Sequence, residues 1–177
     1  MARKLVLAGM LAIVFIGVLF AVISLLGKNE AVKYDTSYVW HTATEGENPV
    51  VILERGKNLD MVRKDPAKLV TALNLYVEES ETTRPAGDGV KTEFPRITLQ
   101  KVEQQVAHIE VLNDQYLTQK MGSSGAQDFL AIVTYTLTES PGITSVNFAF
   151  QAGEHAMPGL YSRQSFTGYT LRTGGSK

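Results

Sequence analysis

The segment RITLQKVEQQVAHIEVL, residues 96–112, predicts a β-hairpin. Side chains alternate between the two faces of a strand, so every second residue shares a face. The apolar residues follow that spacing: Ile97 and Leu99 in the first strand, and Ala107, Ile109 and Val111 in the second. His108 and Glu110 fall on the opposite face. We expect the turn near residues 103–105, although it lacks the Asn-Gly or Asp-Gly pair favoured in tight hairpins.

The residues after the hairpin predict a helix and then a strand. Ser124 and Gln127 stand three residues apart, the spacing of a capping box at a helix N-terminus. Apolar residues then recur at helical spacing: Ala126, Phe129, Leu130, Val133 and Leu137. Pro141 and Gly142 should end this helix. Alternation over residues 143–150 predicts a half-buried strand.

The residues before the hairpin predict a strand and another helix. Residues 50–53 are an apolar run of strand length, and residues 58–63 are a possible partner strand. Asp65 and Pro66 form a helix-start signal, and an apolar stripe follows, fading near residues 79–80. A strand through residues 73–77 is the alternative. This order of elements predicts an α+β fold, a single two-layer α/β sandwich domain over residues 49–153.

The N-terminus predicts a transmembrane helix. Residues 5–26 carry no charge, and about 22 helical residues span about 33 Å, enough for the hydrocarbon core of a bilayer. The anchor residues that we single out along this span are Leu5, Val14, Phe15, Phe20 and Leu26. Arg3 and Lys4 precede it, so the positive-inside rule places residues 1–4 in the cytoplasm. A cleaved signal peptide is the alternative, but its apolar region usually runs about 7–15 residues.

The anchor sets the expected organisation of the rest of the chain. Residues 27–48 are predicted to be a membrane-proximal linker and residues 154–177 a C-terminal tail. The protein is then expected in a bacterial inner (cytoplasmic) membrane, in contact with membrane lipid, with its domain on the extracytoplasmic or periplasmic side. Tyr34, Tyr38 and Trp40 would rest at the membrane interface or pack on the domain.

Composition excludes several classes of function. The chain has 17 Lys plus Arg and 18 Asp plus Glu, a net charge of −1, which argues against binding nucleic acid. It contains no cysteine. That excludes disulfides, thiol catalysis, cysteine-ligated zinc and the lipid attachment of a lipoprotein.

No residue pattern predicts catalysis, a cofactor or a metal. His41, His108 and His155 are far apart and in no ligand spacing. The sequence GSSG at residues 122–125 has neither the Gly-x-Ser-x-Gly frame of a nucleophile elbow nor the Lys of a phosphate loop. We therefore expect a protein that is not an enzyme and that acts by binding or assembly.

The hairpin and the elements after it resemble the GerMN domain, named for the sporulation and spore-germination protein GerM. Arg96-Ile97-Thr98-Leu99 and residues 106–113 are similar to its two central strands, with Phe94-Pro95 before them. Residues 132–138 and 142–148 resemble its later helix and strand, and residues 151–153 its closing turn. The resemblance covers about residues 50–153. It implies a domain similar to the ring-building motifs of secretion systems.

In those ring-building motifs, helices of one copy pack against the sheet of the next. The resemblance therefore implies a membrane-anchored scaffold or assembly subunit of a bacterial envelope complex, related to sporulation or germination. Its partners would be other envelope proteins or copies of itself. The alternative is an envelope domain that binds or senses a cell-wall fragment or small molecule, with aromatics of residues 34–40 and 161–169 around its pocket.

Overall fold

The computed structural model describes residues 35–45, 50–82 and 94–173. The predicted anchor, with Leu5, Val14, Phe15, Phe20 and Leu26, lies outside these residues. No helix in the described ranges is long and apolar enough to cross a membrane.

The described chain is an α+β fold, as predicted, built of two helices and seven strands. The helices are α1, Pro66–Thr82, and α2, Gly122–Leu137. The strands are β1, Trp40–Glu45; β2, Val50–Arg55; β3, Arg96–Glu103; β4, Val106–Leu112; β5, Ser145–Ala149; β6, Gly159–Ser162; and β7, Thr170–Thr173.

The four-stranded sheet has the order β3-β4-β5-β6. Strands β3 and β4 form the predicted antiparallel hairpin, and its two turn residues, Gln104 and Gln105, have φ of 49° and 64°. Both therefore adopt the left-handed conformation that a tight hairpin turn requires, without a glycine. Strand β5 runs parallel to β4, because helix α2 crosses over between them, and β6 returns antiparallel to β5.

The predicted alternation is confirmed in β4 and β5, whereas in β3 the register shifts between Leu99 and Lys101. Ala107, Ile109 and Val111 of β4 are buried, and so are Val146 and Phe148 of β5. The intervening residues are exposed or half-buried. One face of this sheet therefore belongs to the hydrophobic core, and the other does not.

A second sheet, which the sequence did not predict, has the order β1-β2-β7. Strand β1 lies inside the predicted linker and pairs antiparallel with β2. The linker prediction is corrected here because Val39 and Trp40 are buried in the core. The predicted partner strand at residues 58–63 is wrong, since Leu59–Met61 forms a 3-10 turn. The predicted tail is corrected too, because it contributes β6 and β7.

Gly56 shows why the chain just after β2 lies so close to the chain just before β1. Its N–H donates to Val39 O at 3.0 Å. A Cβ on Gly56 would lie 2.4 Å from the backbone oxygen of Ser37, far inside van der Waals contact. Only glycine fits this position, so the chain after β2 lies directly against the backbone before β1.

Helix α1 begins as predicted and is longer than predicted. The Asp65 carboxylate accepts the N–H of Ala67 at 3.1 Å and of Lys68 at 3.4 Å, which caps the helix. The helix continues to Thr82, so the alternative strand at residues 73–77 is wrong.

Helix α2 differs from its prediction at the start and in its packing. It begins at Gly122, with no side-chain cap, so the capping box of Ser124 and Gln127 is wrong. Residues 129–137 are all buried rather than one stripe. The reason is that α2 contacts β1 of one sheet and β5 and β6 of the other. Because α2 packs against both sheets, it is apolar on all sides. The described fold therefore has two sheets joined by α2, and the prediction of a single sandwich is corrected.

Candidate functional site

The outer face of the four-stranded sheet carries exposed and half-buried residues on its strands. We call it the open face, and its exposed residues include Thr98, Lys101, Glu110, Leu112, Ala149 and Leu160. The strand register places Thr98 opposite Glu110, and Glu110 opposite Ala149. Leu112 is 44% exposed and Leu160 is 64% exposed. The open face therefore offers apolar side chains among polar ones.

Polar side chains on the open face mainly contact one another across the strands. Gln100 Nε2 donates to Glu110 Oε2 at 3.0 Å. Asn147 Nδ2 lies 3.4 Å from His108 Nδ1. His108 and Glu110 therefore share the outward face, as predicted, and each has an amide neighbour. An array of this kind is suited to recognising a surface, since its groups are spread over the sheet.

The edge of this sheet formed by β3 is partly covered by a side chain of helix α1. Asn74 Nδ2 donates to Ile97 O at 2.9 Å, and Asn74 Oδ1 accepts the Ile97 N–H at 2.9 Å. The amide thus replaces the neighbouring strand that β3 lacks at this point. An exposed strand edge recruits other chains, and this contact blocks that pairing at Ile97. Binding through the face of the sheet is favoured over strand addition there.

A buried ionic cluster ties the two sheets to the end of helix α2. The Glu139 carboxylate accepts from Arg55 Nη2 at 3.0 Å, Arg163 Nη2 at 2.7 Å and Trp40 Nε1 at 3.1 Å. Its side chain is 13% exposed. The Arg163 guanidinium also lies 5.0 Å from the ring centre of Tyr135. These are cation–π and charge-assisted contacts that are strong when desolvated.

The charge of Glu139 is stabilised within this cluster. Burial acts to raise its pKa, but the hydrogen bonds and charges of Arg55, with the hydrogen bonds of Arg163 and Trp40, outweigh burial. The pKa of Glu139 therefore lies below its ordinary value. All its partners belong to the fold, so we interpret the cluster as structural.

A small pocket opens between helices α1 and α2. Its lining includes Tyr76 and Val77 of α1, Asp128 and Phe129 of α2, and Thr42 of β1. The Tyr169 hydroxyl donates to Asp128 Oδ1 at 2.5 Å. Burial raises the pKa of Asp128, with the hydrogen bond from Tyr169 acting in the opposite direction. The pKa of Tyr169 is raised by burial and by that same contact.

One pair of chemically active residues meets in space although the sequence separates them. Ser123 Oγ lies 3.2 Å from His155 Nδ1. A serine nucleophile needs a histidine base that a third group orients. In the described residues no carboxylate is hydrogen-bonded to His155, and its backbone N–H donates to Thr118 O. The pair therefore has only two of the three parts of a triad.

The other residues singled out from the sequence lie apart. His41 is on β1, where Nδ1 lies 3.5 Å from Val39 O. Trp40 is in the core, and Tyr34 lies outside the described residues. In the part of the chain that the structure describes, no three His, Asp or Glu side chains are placed to hold a metal ion.

Sequence reasoning missed the residues that organise these sites. These residues are single polar side chains in or beside helices: Asn74, Asp128 and Glu139. A helical wheel predicts that such side chains face the solvent. The one signal in the sequence that Asp128 is partly buried is that Ala126 and Phe129, close to it on the helix, are apolar. The aromatic tail residue Tyr169 was expected beside a pocket, and it does contact a residue that lines one.

Comparison with known proteins bears on this fold. Residues 38–151 match a family model described as "Germane: Sporulation and spore germination". No curated protein matches the chain, and no solved structure matches it. The matched residues run from just before β1 to just after β5 and include both helices and the hairpin. They are more than half of the 177 residues, and the chain belongs to the Germane family of sporulation and spore germination proteins.

Proposed function

We propose that this protein is an assembly subunit of an envelope complex in sporulation or germination, and that the open face is its contact surface. The observation that carries the proposal is that one face of the four-stranded sheet lies in the core while the other is exposed. Family membership supports the sporulation or germination setting. The part played by the open face is our inference from its geometry.

The partner surface that we propose is helix α1 of a second copy. Its exposed side includes Lys68, Thr71 and Leu75, and Leu75 is an exposed apolar residue. Leu112 and Leu160 are the corresponding apolar residues of the open face. A helix-to-sheet contact joins two different surfaces. In a dimer formed this way, one copy still has a free open face and the other still has a free helix α1, so each can bind a further copy. Such a contact builds a ring when its rotation closes.

The membrane setting is part of the same proposal. An uncharged segment at residues 5–26, preceded by Arg3 and Lys4, supports an anchor that holds the domain on the extracytoplasmic side. Such an anchor confines copies to one plane, which favours a planar ring. We expect the full-length chain, with its N-terminus intact, to sediment with membranes. Recovery in the supernatant would contradict the anchor.

Native mass spectrometry of the detergent-solubilised full-length protein tests the assembly. We expect species larger than the monomer in the wild type. Thr98→Arg places a bulky charge on the open face and should shift the population to monomer. Thr167→Arg is the matched control, because Thr167 is exposed and lies outside the four-stranded sheet. A wild-type protein that is strictly monomeric and retains no partner protein would overturn the proposal.

A further inference from the structure

The pocket between helices α1 and α2 is lined by both apolar and polar side chains, and the proposed assembly contact does not involve it. Its volume is roughly 120 Å³, and apolar wall residues include Val77, Met121 and Phe129. Polar groups on the same walls include Thr42, Tyr76 and Asp128. A water occupies about 30 Å³ in the liquid, so the pocket holds the volume of about four waters. It shares no residue with the open face.

Asp128 is the one acidic group lining this pocket, and it has no positively charged partner among residues 35–45, 50–82 and 94–173. Its Oδ1 accepts the Tyr169 hydroxyl at 2.5 Å, and no Lys, Arg or His of the described residues forms an ion pair with it. The titratable groups that face it are Tyr76 and Tyr169, which carry no positive charge. A half-buried carboxylate without a cation is unfavourable unless something else supplies the charge.

Glu139 is a second carboxylate of this chain that can be compared with Asp128. Glu139 is also half-buried, and two arginines, Arg55 and Arg163, pair with it at 3.0 Å and 2.7 Å. Asp128 sits beside an accessible pocket rather than beside arginines. No described residue supplies the counter-charge of Asp128, and the pocket beside it is open to a cation from solution.

We propose that this pocket binds an alkylammonium group, with Asp128 as its counter-charge. An ammonium has three donors, and the pocket offers the Asp128 carboxylate as an acceptor. Thr42 and Tyr76, whose side chains are hydrogen-bonded to each other, lie on the same walls. The rings of Tyr76 and Phe129 attract cations, and Val77 and Met121 suit a short apolar stem.

The size of the pocket and its single carboxylate narrow the class of ligand. A butyl stem with an ammonium head is a small probe suited to a pocket of roughly 120 Å³. Calcium is a poor fit, because it takes about 6–8 oxygen ligands, commonly from several carboxylates. The ammonium is supplied either by a free small amine or by the side chain of a lysine on another protein.

Binding of n-butylammonium to the purified full-length protein tests this inference, followed by the NMR shifts of residues around the pocket. n-Butanol is the probe control, because it has the same stem without the charge. We expect butanol to bind at least tenfold more weakly than butylammonium. Equal binding of the two probes would overturn the inference, since the pocket would then recognise only the stem.

The protein variants test the role of the carboxylate. Asp128→Asn keeps an acceptor for Tyr169 and should weaken butylammonium binding at least tenfold. Glu110→Gln, on the open face, is the matched control and should leave binding unchanged. Tyr76→Phe keeps the ring and should weaken binding severalfold, so it tests the site even if Asp128→Asn does not fold. Unchanged affinity in both pocket variants would overturn the inference.

A third probe distinguishes the two sources of the ammonium. Nα-acetyl-lysine N-methylamide carries the same butylammonium group on a peptide-like backbone. Tighter binding than butylammonium would support a lysine of a partner protein as the occupant, and weaker binding would support a free amine. Failure of the native mass spectrometry test would leave these results unaffected, because the pocket is lined by residues of a single copy.

Discussion

Replacing Glu139 with glutamine tests whether the ionic cluster holds the two sheets together. Glutamine has nearly the same shape but no charge. The substitution leaves Arg55, at the end of β2, and Arg163, in the turn after β6, without their shared carboxylate. Arg55 is only 18% exposed, so water compensates its charge poorly.

The expected loss of stability follows from these contacts. Removing one partner of a buried ion pair costs about 3–5 kcal/mol. Two features reduce that cost here. Arg163 is 37% exposed, so solvent screens its charge, and Arg55 keeps Asp60 at 2.9 Å. Glutamine also retains one acceptor oxygen. We therefore expect the free energy of unfolding at pH 7 to fall by about 2–3 kcal/mol.

Urea denaturation followed by the fluorescence of Trp40 measures this loss, since Trp40 lies in the cluster itself. Glu110→Gln is the matched control and should stay within about 0.5 kcal/mol of the wild type, because Glu110 is exposed. A loss for Glu139→Gln no larger than for the control would refute the reasoning.

The pH dependence supplies a second check on Glu139. The pKa of Glu139 in the fold lies below its ordinary value of 4.5. Its carboxylate therefore contributes stability above that ordinary value, and the contribution is lost as the pH falls through the lower folded value. The gap between the wild type and Glu139→Gln should narrow on acidification below pH 4.5. A gap that stays constant on acidification would contradict this assignment.

Two further substitutions test the other polar contacts. Asn74→Ala removes both hydrogen bonds to Ile97 and should cost about 1–3 kcal/mol in urea denaturation, whereas Thr71→Ala on the same helix should cost less than about 0.5 kcal/mol; equal losses would contradict the edge contact. Asp128→Asn should be at least as stable as the wild type at pH 7. Burial raises the folded pKa of Asp128, so the neutral form stabilises the fold below the unfolded value of 3.8, and that contribution is lost as the pH rises through the folded value. A loss above about 1 kcal/mol for Asp128→Asn at pH 7 would refute this.

The central elements were predictable because their periodicity is strong and local. The second strand of the hairpin, residues 106–112, alternates without interruption, whereas the first has an irregularity between Leu99 and Lys101. Asp65-Pro66 marks the start of α1. The second sheet was not predictable in this way. Strand β7 has only four exposed residues, and it pairs with β2 across more than a hundred residues of chain. Such pairing depends on tertiary contacts rather than on local pattern.

The candidate sites were less predictable than the fold. The open face followed from the alternation that puts His108 and Glu110 outward. The pocket did not, because its carboxylate on α2 meets Tyr169 from the end of the chain only after both helices are packed. The burial of Thr134 and Thr136 inside α2 likewise reflects the position of that helix between two sheets. The apolar stripe predicted for α2 leaves out Ala131, Ile132 and Tyr135, which extend its apolar surface around the helix.

Disulfide cross-linking between copies tests the proposed assembly contact most directly. The chain has no cysteine, so Thr98→Cys on the open face and Thr71→Cys on α1 each introduce a single thiol. Our account predicts a cross-linked dimer when the two full-length variants are mixed in the membrane, and much less when either is present alone. No cross-link in the mixture, or an equally strong one with Thr98→Cys alone, would contradict a contact between the sheet of one copy and the helix of the next.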